Sequence, residues 1–335
     1  MATVAPYQVK MDRAALVERF GELEASEGER EWVTMEDGWK LLRETWTPTD
    51  VAPKAVLLAN YGNGESLRSV GIRRLAHACK KRGIILEAYD RAGHGESLEK
   101  NGKVFGNPKF RGGLIESVAT WENHMVHLAA LVLGKHKLPL VVLGHSGAGM
   151  IECLASDRIV AACAHAGVPP PVFIYAAPGV GAMHANAPCG SMAGYRCCWG
   201  CCCCGCCGQP CIPGDLGYIN PDGVLGPDTS AKYVNCDQVW IESLPYPKGG
   251  ADVPEAAAHM TKVQNGLLYV GSKDENLPLA KIKQLAEAVP ALTLEIAEGK
   301  PHDMLNMNKV HGDTTSVQVI EHFLDWAEAQ IGGAP

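Results

Sequence analysis

Six short apolar runs, separated by longer amphipathic stretches, constrain the fold of this chain more than any other feature of its sequence. They are Ala55–Ala59, Ile84–Tyr89, Leu140–Leu143, Val172–Ala177, Leu267–Gly271 and Leu292–Ala297. Each is apolar on successive residues rather than on alternate ones, so each reads as a strand buried on both faces. Between them, Leu67, Gly71, Leu75 and Cys79 recur at the three-to-four spacing of a helix face, as do Val118, Trp121, Met125, Leu128 and Val132. Strand, helix, strand in repetition is the pattern of an α/β chain, with a mostly parallel central sheet and helices on both faces. Val317, Ile320, Leu324, Ala327 and Ile331 predict a closing helix.

The sheet is expected to begin antiparallel. Glu31–Val33 and Trp39–Trp46 flank Glu36, Asp37 and Gly38, and Asp-Gly between strand-like runs is a hairpin signal. Residues 1–29 form a lead with one weakly amphipathic helix, Asp12–Leu23. The core then runs from 30 to 177 and resumes from 253 to 335. Between these parts, residues 178–252 lose the alternation and become rich in Gly, Pro and Cys. A stretch of that length is too long for a structureless loop inside a compact domain, so it reads as an inserted cap, with an irregular insertion as the plainer alternative. Tyr233–Leu244 retains apolar residues able to pack.

Composition narrows the partners. The chain has 335 residues, 20% of them charged, with a net charge of −7, and its longest basic block is Lys80, Lys81 and Arg82. That balance argues against a nucleic-acid surface and for a small-molecule partner. The opening residues show no cationic segment followed by an apolar run, and no window of about 18 apolar residues is available to span a bilayer. A cytoplasmic location is the resulting expectation.

The chemistry concentrates at the ends of the strands. Leu140–Leu143 runs into Gly144-His145-Ser146-Gly147-Ala148-Gly149 and then into helix-like Met150–Ala155. This is the context of a nucleophile elbow, a turn so tight that its neighbours must lack bulk and its serine hydroxyl stands above the sheet. Ala148 takes the place of the second glycine of G-x-S-x-G. Read alone, the same turn would also suit a phosphate at a helix N-terminus. Tyr61-Gly62-Asn63-Gly64-Glu65-Ser66 follows the first parallel strand, where a backbone N–H can help hold an oxyanion. The hole would be formed by the amides of Asn63 and Gly147, unless the loop is a plain turn.

Serine needs a base, and the base needs an orienting acid. In the order that goes with this kind of elbow, an acid follows the serine and a histidine follows the acid. After Leu267–Val270 comes Gly271-Ser272-Lys273-Asp274, and after Leu292–Ala297 comes Glu298-Gly299-Lys300-Pro301-His302-Asp303. Both lie where a parallel sheet presents its active edge. The candidates are therefore Ser146 as nucleophile, Asp274 as acid and His302 as base. Among the 12 histidines, His77, His124, His127 and His136 fall on expected helices, where packing explains them, and His94 falls in a loop. His145 adjoins the nucleophile but is turned elsewhere by the sharp turn. Asp303 is the rival acid, too close in sequence to reach the far ring nitrogen easily.

These residues, with Asp90-Arg91-Ala92-Gly93-His94-Gly95-Glu96-Ser97 after a strand, resemble the α/β-hydrolase superfamily, and within it the monoacylglycerol lipase and lysophospholipase group. The resemblance spans about residues 30 to 330. It implies the same triad, a cap over 178–252, and a serine hydrolase cleaving carboxylic esters through an acyl-enzyme, with no metal or organic cofactor. Tyr233–Ile241 loosely resembles the segment that closes such caps. Tyr61-Gly62 stands where the group has His-Gly. Two other activities fit the same residues: an acyltransferase using the same acyl-enzyme, and a non-catalytic scaffold whose cap binds metal or senses redox state.

The chain has 14 cysteines, nine of them between Cys197 and Cys211. Cys201, Cys204, Cys207 and Cys211 match a C-x2-C-x2-C-x3-C iron–sulfur spacing, although so dense a cluster matches many templates. No histidine lies between Ala185 and Ala258 to complete a mixed zinc site. A disulfide framework does not suit a reducing compartment. S-acylation beside Trp199, bringing the cap to a membrane surface, is the functional alternative to a small, apolar, irregular cap tip.

Overall fold

A computed structural model describes residues 28–62, 67, 69–94, 96–97, 99–100, 103–104, 118–181, 251–274, 277–302, 304–305 and 315–332. The helix expected over Asp12–Leu23, the oxyanion candidate Asn63, the rival acid Asp303 and the cysteine-rich segment lie outside these residues.

Eight strands form one sheet: β1 (Glu29–Thr34), β2 (Lys40–Trp46), β3 (Ala55–Asn60), β4 (Ile84–Tyr89), β5 (Leu140–His145), β6 (Val172–Ala176), β7 (Asn265–Gly271) and β8 (Leu292–Ala297). Their spatial order is β1-β2-β4-β3-β5-β6-β7-β8. The expected hairpin is present: β1 and β2 pair antiparallel, with Gly38 at φ 90° in the turn, where a Cβ would be strained. β2 also meets β4 antiparallel, and every pair from β4 to β8 is parallel. All the parallel strands therefore end at one edge of the sheet.

Among the described residues six helices complete the layers: α1 (Val70–Lys81), α2 (Val118–His136), α3 (Gly147–Ala166), α4 (Val253–Ala258), α5 (Leu279–Ala288) and α6 (Thr315–Gly332). α2 packs on α3, α3 meets α4, and α4 meets α5, while α1 packs on α6. Arg82, at the end of α1, joins Asp325 at 2.6 Å and Glu328 at 3.2 Å on α6 and also binds Glu321, adding surface ion pairs to the buried Ile320, Phe323, Leu324 and Ala327 that seat the closing helix. Every residue of β3, β4, β5 and β6 is buried, as expected of strands covered on both faces. Each fully buried leucine or valine there contributes about 1.5–3 kcal/mol. β8 corrects the sequence expectation: only Leu292 is fully buried, because an edge strand has one strand neighbour and leaves Thr293 and Ile296 exposed. No helix among the described residues is long and apolar enough to cross a membrane.

Candidate active site

β5 ends at His145, and the chain turns directly into α3 with Ser146 at φ 55° and ψ −120°. A non-glycine residue held there stores about 1–3 kcal/mol of strain, so the surroundings must impose it. They do so through the backbone: Ser146 N–H donates to the Ala176 carbonyl at 2.9 Å, and the Ser146 carbonyl accepts from Gly179 at 2.8 Å and Met150 at 3.1 Å. The small residues around it are required by contact. A Cβ on Gly144 would collide with the Glu152 carboxyl and approach the Ala148 carbonyl oxygen to 2.8 Å. One on Gly149 would lie 2.9 Å from both the Gly144 carbonyl oxygen and Pro178 Cα. Ala148, where the glycine motif is broken, is fully buried, so its methyl is accommodated. Gly147 is the first residue of α3, where a helix leaves its N–H groups without intrahelical partners.

The two loops that follow β7 and β8 are laced together. Ser272 N–H donates to the Ala297 carbonyl at 2.9 Å, Lys273 N–H to the Lys300 carbonyl at 2.9 Å, and Gly299 N–H to Ser272 Oγ at 2.8 Å. Gly271 permits this approach, since a Cβ would run into the Lys300 carbonyl oxygen. The lacing carries Asp274 and His302 to each other. With its proton on Nδ1, His302 donates to Asp274 Oδ2 at 2.7 Å, and its Nε2 accepts from Ser146 Oγ at 2.8 Å. Asp274 Oδ1 accepts from Leu277 N–H at 2.9 Å. The aspartate side chain is 2% exposed and the histidine 13%, which leaves the ring reachable from one side. The three residues singled out from the sequence thus form one hydrogen-bonded chain, although serine and histidine lie 156 positions apart.

One further residue touches this arrangement, and two buried charges sit at a loop junction of their own. His145 donates from Nε2 to the His302 carbonyl at 3.1 Å, tying the serine turn to the histidine loop, so it faces the site's framework rather than away from it. Asp90 and Arg91, quoted only as part of a motif, are buried where the loops after β3 and β4 meet. Burial pushes the Asp90 carboxyl up to about 6, and the N–H groups of Glu96 and Leu67 oppose that rise. Their one sequence signal is adjacent opposite charges directly after an apolar strand.

The described residues on either side of 182–250 lie beside Ser146. Gly181 N–H donates to the Ala251 carbonyl at 2.8 Å, and Ala251 N–H lies 3.2 Å from Met150 Sδ. The chain between these ends therefore starts and finishes next to the serine turn.

No protein-family profile and no curated protein matches the chain. Solved structures do. A soluble variant of monoglyceride lipase from Saccharomyces cerevisiae, in complex with a substrate analog, superposes with a TM-score of 0.58 at 16% identity, covering 92% of this chain and 97% of that one. DcsB in complex with its substrate analogue gives 0.62 at 13% identity, covering 91% and 100%. A lidless α/β serine hydrolase from Xanthomonas campestris gives 0.51 at 13% identity, covering 92% and 98%. With the strand order and the serine turn described above, these likenesses identify the architecture: the chain has the α/β-hydrolase fold.

Proposed function

We propose that this protein is a serine carboxylester hydrolase acting on esters of the monoacylglycerol or lysophospholipid type. One observation carries the reading: the continuous hydrogen-bonded chain from Ser146 Oγ through His302 to Asp274 at the carboxyl edge of the sheet. In this reading Ser146 Oγ attacks the ester carbonyl while His302 Nε2 takes its proton. Asp274 keeps the other ring nitrogen protonated and stabilises the imidazolium that forms. The tetrahedral oxyanion is held by the Gly147 N–H at the start of α3 and by the N–H of Asn63. His302 then returns the proton to the leaving alcohol. Water activated by the same ring hydrolyses the acyl-enzyme. The mechanism uses no metal or organic cofactor.

The lipid character of the substrate is supported by likeness to a monoglyceride lipase held with a substrate analog. It is also supported by the insertion that begins and ends beside Ser146, where a cap would govern access. For the cysteines around Trp199, S-acylation is the functional alternative to an irregular cap tip: a hydroxylamine-sensitive mass shift would support it, and bound iron or zinc would overturn it. The enzyme reading is tested with a fluorophosphonate probe. Wild type is expected to label and Ser146→Ala to stay blank; equal labelling, or none of wild type, refutes the assignment. Across esters of graded chain length, long acyl chains are expected to be preferred, and a preference for acetyl esters would reject the lipid substrate.

A further inference from the structure

A buried histidine stands between the serine turn and the base, and the acyl-transfer scheme gives it no task. His145 ends β5 and is peptide-bonded to Ser146, with 2% of its surface exposed. An imidazole taken out of water is costly unless its polar atoms are met. Its Nε2 lies 3.1 Å from the His302 carbonyl, which can only accept, so the ring carries a proton on Nε2 and donates. The two rings also lie against each other, with centroids 5.3 Å apart and planes tilted by 36°. The same carbonyl accepts from Met304 N–H at 3.1 Å, and Met304 is fully buried. His302 is thereby gripped through its main chain by two donors.

The topology explains why such a grip matters. Ser146 follows β5 and His302 follows β8, and in the sheet β6 and β7 lie between those strands. Three strand spacings amount to about 14 Å, which the chain has to recross to bring Nε2 of the base to 2.8 Å from the serine oxygen. The lacing after β7 and β8 joins His302 to its acid, but it runs between those two loops and not to β5. His145 spans the remaining gap, fixed to Ser146 by the rigid peptide bond and to His302 by its hydrogen bond. We infer that His145 is a positioning residue for the catalytic base, holding the His302 main chain at the distance from Ser146 that lets Nε2 take the serine proton. The inference rests on the ester-hydrolase reading. An offset of about 1 Å between reacting groups costs on the order of 100-fold in rate. Binding of the ester does not use this contact, so its loss falls on kcat and leaves KM nearly unchanged.

The test is steady-state hydrolysis of a short soluble ester. Wild type that neither labels with a fluorophosphonate nor turns over the ester overturns the hydrolase reading and the inference with it. Given turnover, His145→Phe, which keeps an aromatic ring and deletes the donor, is expected to lower kcat about 10- to 100-fold, with KM within about threefold. Where the phenylalanine does not fold, His145→Asn replaces it: its amide nitrogen falls at the place of Nδ1, short of the carbonyl, and the same loss is expected. His145→Gln carries its amide nitrogen as many bonds from Cβ as Nε2 and should restore kcat to within about threefold of wild type. A merely structural role would not produce the second readout, a double-mutant cycle with Asp274→Asn. There the base is held in the wrong tautomer and its seat no longer limits the rate, so loss of the His145 donor should cost no more than about threefold further. A hydrolase in which the donor-less variants keep kcat within about threefold, in which His145→Gln loses as much as they do, or in which the losses multiply fully, overturns the inference and leaves the hydrolase reading intact.

Discussion

Replacing Glu152 by Gln should make the protein more stable, by an amount that grows with pH. Glu152 lies on α3 beneath the serine turn, fully buried, and neither carboxyl oxygen has a partner in hydrogen-bond geometry among the described residues. Burial pushes the group well above the ordinary carboxylate value of 4.5, with only partial opposition from the backbone of Gly144 and Ile174. The titratable groups facing it are Tyr89 on β4, Tyr175 on β6 and Cys153 on α3, each pushed up by its own burial. The carboxyl is thus held protonated when folded, whereas in the unfolded chain it ionises above pH 4.5. The folded state then binds more protons, so stability falls as pH rises from the unfolded value toward the raised folded one. The slope is about 1.4 kcal/mol per pH unit. As long as the folded group keeps its proton, the loss from pH 4.5 to about 6.5 integrates to about 2.3 kcal/mol, a melting shift of about 3 °C for a chain of this size. Gln has nothing to ionise. Its buried amide adds an offset that does not depend on pH, so the slope is the diagnostic and the offset is not. Thermal and urea unfolding of both proteins at about pH 4.5, 5.5 and 6.5 would measure it. A difference that stays flat with pH, or that shrinks as pH rises, would show that Glu152 is ionised in the folded protein and refute the reasoning.

The candidate site yields three further expectations. Asp274→Asn should lower kcat by about 10³- to 10⁴-fold with little change in melting temperature, because the amide supports the wrong imidazole tautomer; retention of more than about a tenth of the activity would contradict the orienting role. Ser146→Gly should unfold at higher denaturant than Ser146→Ala, by about 1 kcal/mol, since glycine tolerates φ 55° and alanine does not; both lack the nucleophile, so the comparison isolates backbone strain, and equal midpoints would show that none is stored. Gly271→Ala places a methyl against the Lys300 carbonyl oxygen, within 2.7 Å of the Pro301 carbonyl oxygen, and should spread the loops that join Asp274 to His302. A kcat loss of about 10-fold or more is expected, and unchanged kcat would mean the loops can part without disturbing the pair.

The site was legible because its parts sit at strand ends. Runs such as Val141–Leu143 and Leu267–Val270 declare burial on both faces by residue type alone, and a parallel sheet gathers the ends of such strands along one edge. Chain order then orders Ser146, Asp274 and His302 without knowledge of any contact. The same logic misjudged β8, because apolar content records hydrophobicity and not the number of neighbouring strands. It was also blind to charge placed inside apolar stretches. Glu87 within Ile84–Tyr89 and Glu152 within Met150–Ala155 present the same symptom, an acid where periodicity expects an apolar side chain, and both are fully buried. Their physics is opposite. Glu87 accepts from Thr45 Oγ1 at 2.7 Å and His136 Nε2 at 2.8 Å, with Arg43 Nε at 3.5 Å and Lys135 Nζ at 3.7 Å, a setting built for a carboxylate. Glu152 meets backbone, tyrosines and a thiol, a setting built for a neutral acid. The hydrogen-bond partners that mark Glu87 as different lie 42 and 49 positions away in sequence, so no local pattern separates the two; only the fold, by deciding which cations arrive, determines whether a buried glutamate ties elements together or makes stability depend on pH.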